Sequence, residues 1–246
     1  MQKKSRSTTK EALSASDQAY NGIIDLVLHL ELRPGERTSV NLLANRLNLG
    51  RTPVKEAITR LQTEGLLSVA GRSGTMVNLI NREETEQLFA LRRALEDFAA
   101  DYAVKNVSAE QLRRLRQLTQ NMRQHSFDPD NVMQSTAEFV RDNAEFHAVI
   151  VAASGNNFLL RIYSQIQIQL QIVTYLVRRG FDPKASERRQ REHEEILKAM
   201  MARNGKLLKA TLKAHAQTTE EAILETLKSS NRPQITERSW PSARLR

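Results

Sequence analysis

Three histidines in the second half of the chain, His147 in AEFHAVI, His193 in REHEEIL and His215 in KAHAQTT, each sit in a stretch with helical apolar spacing. A lone histidine on a helix is ordinarily a core or surface residue that has found a hydrogen bond. Spacing sets these three apart. His193 and His215 each lie eleven residues from Asn204 in the turn Asn204-Gly205, so in an antiparallel hairpin they stand at one height on neighbouring helices. Two imidazoles at one level can share a cation. A third helix would bring His147, and Asn143, at i−4, shares its face. Three imidazoles and one oxygen donor suit a borderline divalent transition metal such as Zn²⁺, Ni²⁺ or Mn²⁺, with positions left open for an incoming ligand.

The same three imidazoles could also serve a metal-dependent hydrolase, the remote alternative. The helical zinc-protease pattern needs a second histidine four residues after the first, and Leu197 holds that place after His193-Glu194. Nothing aims Glu194 or Glu195 at a metal. The chain shows no Ser-His-Asp arrangement and no phosphate-cradling glycine loop, and with no cysteine it has neither a thiol nucleophile nor a disulfide framework. These observations argue against an enzyme.

A second stretch with chemistry runs from Pro34 to Val77. A helix should begin after Ser39, whose hydroxyl can cap it, and bury Leu43, Ala44 and Leu47. Asn48-Leu49-Gly50 breaks it. A second helix then starts with Gly50 as cap and Pro53 in the first turn, where a missing N–H costs nothing. Its apolar positions Val54, Ala57, Ile58 and Leu61 form one stripe of a 3.6-residue period. Arg51, Thr52, Lys55 and Thr59 fall on the other side, the cation- and hydroxyl-bearing edge that a helix in a DNA major groove needs. Gly65 ends this helix. Leu66–Val69 and Thr75–Val77 read as strands around a glycine-bounded turn whose tip carries Arg72, able to lie in a minor groove or against phosphate.

The pattern PG-x-R, LLANRL, GRTPVKEAI-x-RL-x-x-EGLL and R-x-G-x-x-V resembles the winged helix-turn-helix of the GntR family of bacterial transcription regulators, over about Tyr20 to Leu79. The resemblance implies that Arg51, Thr52, Lys55 and Arg72 contact operator DNA, with Thr59 and Asn41 as further candidates. The chain departs from the family pattern at Gly50, where Ser or Thr is usual, at Asn41, and at Lys55, where Arg is usual. Lysine cannot make the two-pronged guanine contact of arginine. Downstream, NAEFH, EH and AH resemble the metal-binding type of FadR-like (FCD) effector domain, which carries Asp-x-x-x-His on one helix and a histidine on each of two later helices. Asn143 stands where that pattern has Asp, and a neutral amide implies weaker metal binding. Asp142 is about 100° around the helix and is the poorer ligand. In such domains the metal helps hold a small carboxylate or sugar-acid effector, and Arg92 in LFALRRALE would help neutralise the acid.

The elements that must position these residues follow from pattern and punctuation. The expected fold is mostly α: a disordered segment 1–15, a winged helix-turn-helix over 16–80, an antiparallel six- or seven-helix bundle for effector binding and dimerisation over 81–230, and a flexible tail 231–246 containing Trp240. Bundle helices are expected near 82–105, 108–125, 130–153, 156–180, 185–203 and 205–229, with Asn81 and Ser108 as caps and Asp128-Pro129-Asp130, Ser154-Gly155-Asn156 and Asp182-Pro183 as breaks. The net charge is +9. Residues 1–80 hold eleven Lys or Arg against seven acids and 231–246 four against one, whereas 81–230 are nearly balanced at twenty-two against twenty. The excess therefore sits where a polyanion would bind. Apolar runs are short and the N-terminus has no signal-peptide core, so a cytoplasmic protein without a membrane partner is expected. One winged helix reads too few base pairs to be selective. A homodimer on an inverted-repeat operator is the expected partner arrangement, with effector-modulated repression as the function and a constitutive dimeric DNA binder, its metal structural or absent, as the alternative.

Overall fold

The computed structural model describes residues 13–29, 31–69, 74–78, 81–125, 131–178 and 183–229, in two compact units that divide between positions 79 and 80. Residues 1–12, Arg72 at the wing tip, the break Asp128-Pro129-Asp130, Asp182 and the tail with Trp240 lie outside the described residues. Residues 13–15 correct the expected disordered segment. The Ser14 hydroxyl accepts the Asp17 N–H at 3.0 Å and caps α1 (Ala15–Leu28).

In the first unit α2 (Val40–Leu47) and α3 (Arg51–Thr63) follow α1, with the Ser39 hydroxyl capping α2 as expected. Asn48 adopts the left-handed conformation that closes α2, and Gly65 does the same for α3, where the Gly65 and Leu66 N–H groups return to Gln62 and Leu61. Val54, Ala57, Ile58 and Leu61 are buried, while Arg51, Thr52, Lys55 and Thr59 are exposed. Burying a branched aliphatic side chain is worth roughly 1.5–3 kcal/mol, several times a surface ion pair, so this stripe decides which edge of α3 stays wet. Leu47 is half-buried against Gly22 of α1, where a Cβ would come within 2.8 Å of its Cδ2.

The expected hairpin is one edge of a three-stranded antiparallel sheet. Strand β3 (Thr75–Val77) lies between β1 (Arg37–Thr38) and β2 (Leu67–Val69), with Arg37 opposite Met76 and Leu67 opposite Val77. At two residues, β1 is too short to show any alternation. Gly74, at φ +100°, lets it close, because a Cβ there would lie 2.7 Å from the Thr38 carbonyl oxygen.

Six helices make up the described part of the second unit: α4 (Arg82–Asn106), α5 (Ala109–Gln124), α6 (Val132–Ala153), α7 (Asn157–Arg178), α8 (Pro183–Met201) and α9 (Gly205–Ser229). They follow the expected ranges within a few residues. Asn81 caps α4, Ser108 and Gln111 form a reciprocal capping box on α5, and the Asn156 side chain receives the N–H groups of Phe158 and Leu159. Helix α4 packs against α6, α7 and α9, while α5 packs on α6 and α8. Among the described residues no helix is long and apolar enough to cross a membrane.

The α8–α9 turn contains Arg203 at φ 51°, a left-handed conformation costly for a residue with a Cβ. Its guanidinium donates to the carbonyls of Val104, Lys105 and Val107 at 2.8, 3.0 and 3.0 Å, closing the C-terminal end of α4. Arg203→Ala should lose these bonds and keep the strain. Arg203→Gly should lose the bonds but relieve the strain, ending about 1 kcal/mol more stable than the alanine variant. Urea unfolding of both variants measures the difference, and a glycine variant no better than alanine would show that the left-handed backbone carries no cost.

Candidate functional site

Helices α4, α6, α8 and α9 deliver Arg92, His147, His193 and His215 to one place. All four are at most 2% exposed. The His193 and His215 ring centroids are 4.5 Å apart, His147 and His215 stack at 5.1 Å, and His147 and His193 meet at 5.7 Å. One ring nitrogen from each histidine lies within 4.8 Å of the other two. The equal spacing about Asn204 thus places the imidazoles at one level, and α6 supplies the third.

Hydrogen bonds decide which nitrogens are available. An arginine can only donate, so His147 Nε2, 2.8 Å from Arg92 Nη2, accepts. The neutral ring then carries its proton on Nδ1, 3.2 Å from Glu96 Oε1. Asn143 Oδ1 faces His193 Nε2 at 2.8 Å and receives that N–H. His215 Nδ1 lies 2.9 Å from Glu192 Oε2, which leaves Nε2 as its lone-pair nitrogen. Asp142 turns aside to His125 at 3.0 Å, so Asn143 is the α6 oxygen that faces the cluster.

Burial holds His193 and His215 well below the ordinary histidine range, with the neighbouring imidazoles adding to the effect. His147 is lowered by burial and by the Arg92 charge, with Glu96 opposing. Burial alone would raise the Glu96 pKa, but Arg92 and His147 outweigh it and hold the carboxyl far below its usual range. The cluster is therefore three neutral imidazoles beside a closed Arg92–Glu96 pair. Neutral imidazoles with an amide oxygen are the donor set of a borderline divalent cation. The His147 Nε2 lone pair must exchange its bond from Arg92 to bind one, whereas His193 Nδ1 is buried without a hydrogen-bond partner.

Sequence reading missed Glu96, Tyr163 and Glu192. Glu96 Oε1 accepts from Arg92 Nε at 2.9 Å and from the Tyr163 hydroxyl at 2.8 Å, and Oε2 is buried without a hydrogen bond. A signal was present: Arg92 and Glu96 continue the helical stripe of Leu88, Phe89, Ala99 and Ala103, all buried on α4, so the pair faces inward and is no surface ion pair. Glu194, a candidate base in the hydrolase alternative, is held by Arg123 and Gln190.

In the first unit the basic edge is exposed. Among the described residues Arg51 and Lys55 have no ion-pair partner, whereas Arg46 pairs with Glu31, and Arg60 with Asp17 and Glu64. Gly50 supplies no side-chain cap, which leaves the first amides of α3 open beside Arg51. Thr59 donates its hydroxyl to the Lys55 carbonyl at 3.0 Å, keeping only acceptor capacity and a methyl group for a partner. Asn41 and Thr52 are also exposed.

Residues 15–77 match the family model of bacterial regulatory proteins, gntR family, and residues 87–218 match the FCD domain. YdhC, an uncharacterised HTH-type transcriptional regulator of Bacillus subtilis (strain 168), is 26% identical over 200 residues, covering 80% of this chain and 86% of YdhC. The HTH-type transcriptional repressor RspR of Escherichia coli (strain K12) is 23% identical over 209 residues, 85% and 88% of the two chains. Among solved structures, E. coli McbR/YncC shares the fold with a TM-score of 0.74 at 22% identity, over 89% of this chain and 100% of that one.

Because the three histidines bind protons more weakly when folded than at their ordinary value of 6.5, the unfolded chain takes up more protons once pH falls below about that value. Stability from the neutral cluster is thus full above pH 6.5 and lost as pH falls, by up to about 1.4 kcal/mol per unit per histidine. The Glu96 contribution is lost only below its ordinary 4.5. Chelator-treated protein should hold a level thermal midpoint from pH 8 to 7 and lose it between 6.5 and 5, and His193→Gln should flatten the slope. An unchanged slope in that variant would remove His193 from the cause.

Proposed function

Because the chain belongs to the GntR family of bacterial regulatory proteins, with an FCD domain as its second unit, we propose that this DNA-binding transcriptional regulator is a homodimeric repressor whose operator affinity is set by a small carboxylate or sugar acid held beside a metal ion in the bundle. The observation that carries the effector half is the convergence of His147, His193 and His215 with Arg92 in one buried cluster. His147, His193 and His215, with Asn143, would hold Zn²⁺, Ni²⁺ or Mn²⁺. The ion would supply open coordination positions for a carboxylate, and Arg92 a guanidinium to neutralise it.

For the DNA half, Arg51 and Lys55 are the unpaired cations of α3, and the open amides at its start add partial positive charge. Arg51 would read base or phosphate, Lys55 would act as a point charge, and Thr52, Thr59 and Asn41 would fill the remaining contacts, with Arg72 on the wing. A repressor role agrees with the RspR description.

Dimerisation is assigned to the outer face of α4 and α7. Leu91, Phe98 and Tyr102, seven and then four residues apart on α4, are exposed, as are Ile162 and Phe158 on α7, the last at 73%. An apolar stripe of this kind on neighbouring helices suits an isologous contact with a second copy.

One observation favours the alternative of a constitutive DNA binder. The Arg92–His147, Asn143–His193 and Glu192–His215 hydrogen bonds give each of the three rings one partner without an ion. A thermal shift with divalent metal and small carboxylic or sugar acids separates the readings, since binding to the folded state raises the midpoint.

Arg51→Ala should cost about 1–3 kcal/mol of specific operator binding, and His193→Ala should leave that binding intact while abolishing the effector response, both read by fluorescence anisotropy on a promoter fragment. Equal loss of DNA binding in both folded variants would defeat the division of labour. In light scattering, Phe98→Glu with Phe158→Glu should give a monomer that binds a palindromic site at least tenfold more weakly. A double variant that stays dimeric would move the interface elsewhere.

A further inference from the structure

The donors that face the proposed ion carry no negative charge. Three neutral imidazoles and the Asn143 amide make up the set, and the charge of the Glu96 carboxylate is balanced by Arg92, its Oε1 accepting from Arg92 and Tyr163 while Oε2 is buried without a hydrogen bond. Glu192 stands behind His215, on the nitrogen that points away. A divalent cation placed among these residues would keep its full charge in a buried environment, where an unbalanced charge is costly.

Arg92 adds a second constraint of the same sign. Its Nη2 is satisfied by the lone pair of His147 Nε2, 2.8 Å away and buried. If that lone pair goes to a metal, the guanidinium N–H loses its acceptor, and a buried unsatisfied charged donor is penalised further. A carboxylate entering the site answers both deficits, bringing a negative charge to the cation and an acceptor to Arg92.

We infer that this site binds divalent metal and carboxylate as a mutually dependent pair, so that neither occupies it well alone and metal availability gates the effector response. The inference rests on the metal-and-carboxylate reading above. It deepens that reading by making Asn143, a neutral oxygen donor facing His193, the residue that sets the coupling. By linkage, whatever factor the carboxylate adds to metal affinity, the metal adds to carboxylate affinity.

Zinc affinity of the full-length chain, measured by chelator competition in ionic-strength-matched buffers with and without saturating acetate, tests this directly. For the unmodified protein acetate should tighten zinc binding at least tenfold. Asn143→Asp, which supplies the missing charge, should bind zinc more tightly without acetate and shrink the acetate effect to about threefold or less. Asn143→Ala removes the oxygen but stays neutral, so it should bind zinc more weakly and keep the large acetate effect. Zinc binding that is lost in His193→Ala yet indifferent to acetate in the unmodified protein would overturn the coupling while leaving the metal site standing. An acetate effect of equal size in Asn143→Asp would also overturn it. Zinc binding that is absent, or unaffected by His193→Ala, would overturn the site and the coupling together.

Discussion

A single carboxylate oxygen organises the second unit. Glu96 Oε1 accepts from Arg92 of its own helix and Tyr163 of α7 and stands 3.2 Å from His147 Nδ1 of α6, so three helices meet at one carboxylate. Such a junction is a poor way to gain stability. Removing a carboxylate and a guanidinium from water costs several kcal/mol apiece, and their attraction at best returns that cost. Its effect is on arrangement. The tautomer of His147 is set by Arg92, which can only donate to Nε2, so the ring proton rests on Nδ1, 3.2 Å from the Glu96 carboxylate. His193 and His215 are held at one level by the helical hairpin, and Glu192 orients His215 through Nδ1.

The depressed basicity of the three rings follows from the same packing. Burial alone disfavours the imidazolium, and each ring disfavours charge on the next. Burial keeps the lone pairs of the three rings unprotonated and so open to ligation. On the inferred coupling, the cluster would take a cation and an acid together in preference to either partner by itself. That preference would come from Asn143: with a carboxylate in its place, the ion would arrive half neutralised.

Much of this was legible in the sequence, for reasons that differ from part to part. Strong periodicity and punctuation gave the helices of the bundle and the stripe of α3, because burial of Val54, Ala57, Ile58 and Leu61 outweighs every weaker preference. Equal spacing of His193 and His215 about Asn204 gave the cluster, since a tight turn converts sequence distance into height. What escaped was short or local in disguise. Strand β1 has two residues and no pattern. Arg92 and Glu96, four apart, look in sequence like any exposed helical ion pair, and only the apolar residues on their own stripe, Leu88, Phe89, Ala99 and Ala103, betray that the pair faces inward. Tyr163 and Glu192 answer to tertiary neighbours that no local pattern encodes.

Helix α4 carries two unlike faces along its 25 residues. Inward it presents Arg92 and Glu96 to the histidine cluster, and outward it leaves Leu91, Phe98 and Tyr102 exposed beside Phe158 and Ile162 of α7. Its C-terminal end is pinned by Arg203, whose left-handed backbone is tolerated for three carbonyl contacts. On the proposed reading, a helix held at that end and packed along its length would respond to a change at Arg92 by moving as a body, because a close-packed interior passes on displacement and absorbs little of it. The helix that would sense what enters the cluster is thus also the one that offers the exposed apolar residues. On the proposed reading, the ion and its acid would alter dimer geometry through α4 before any signal reached the DNA-binding unit.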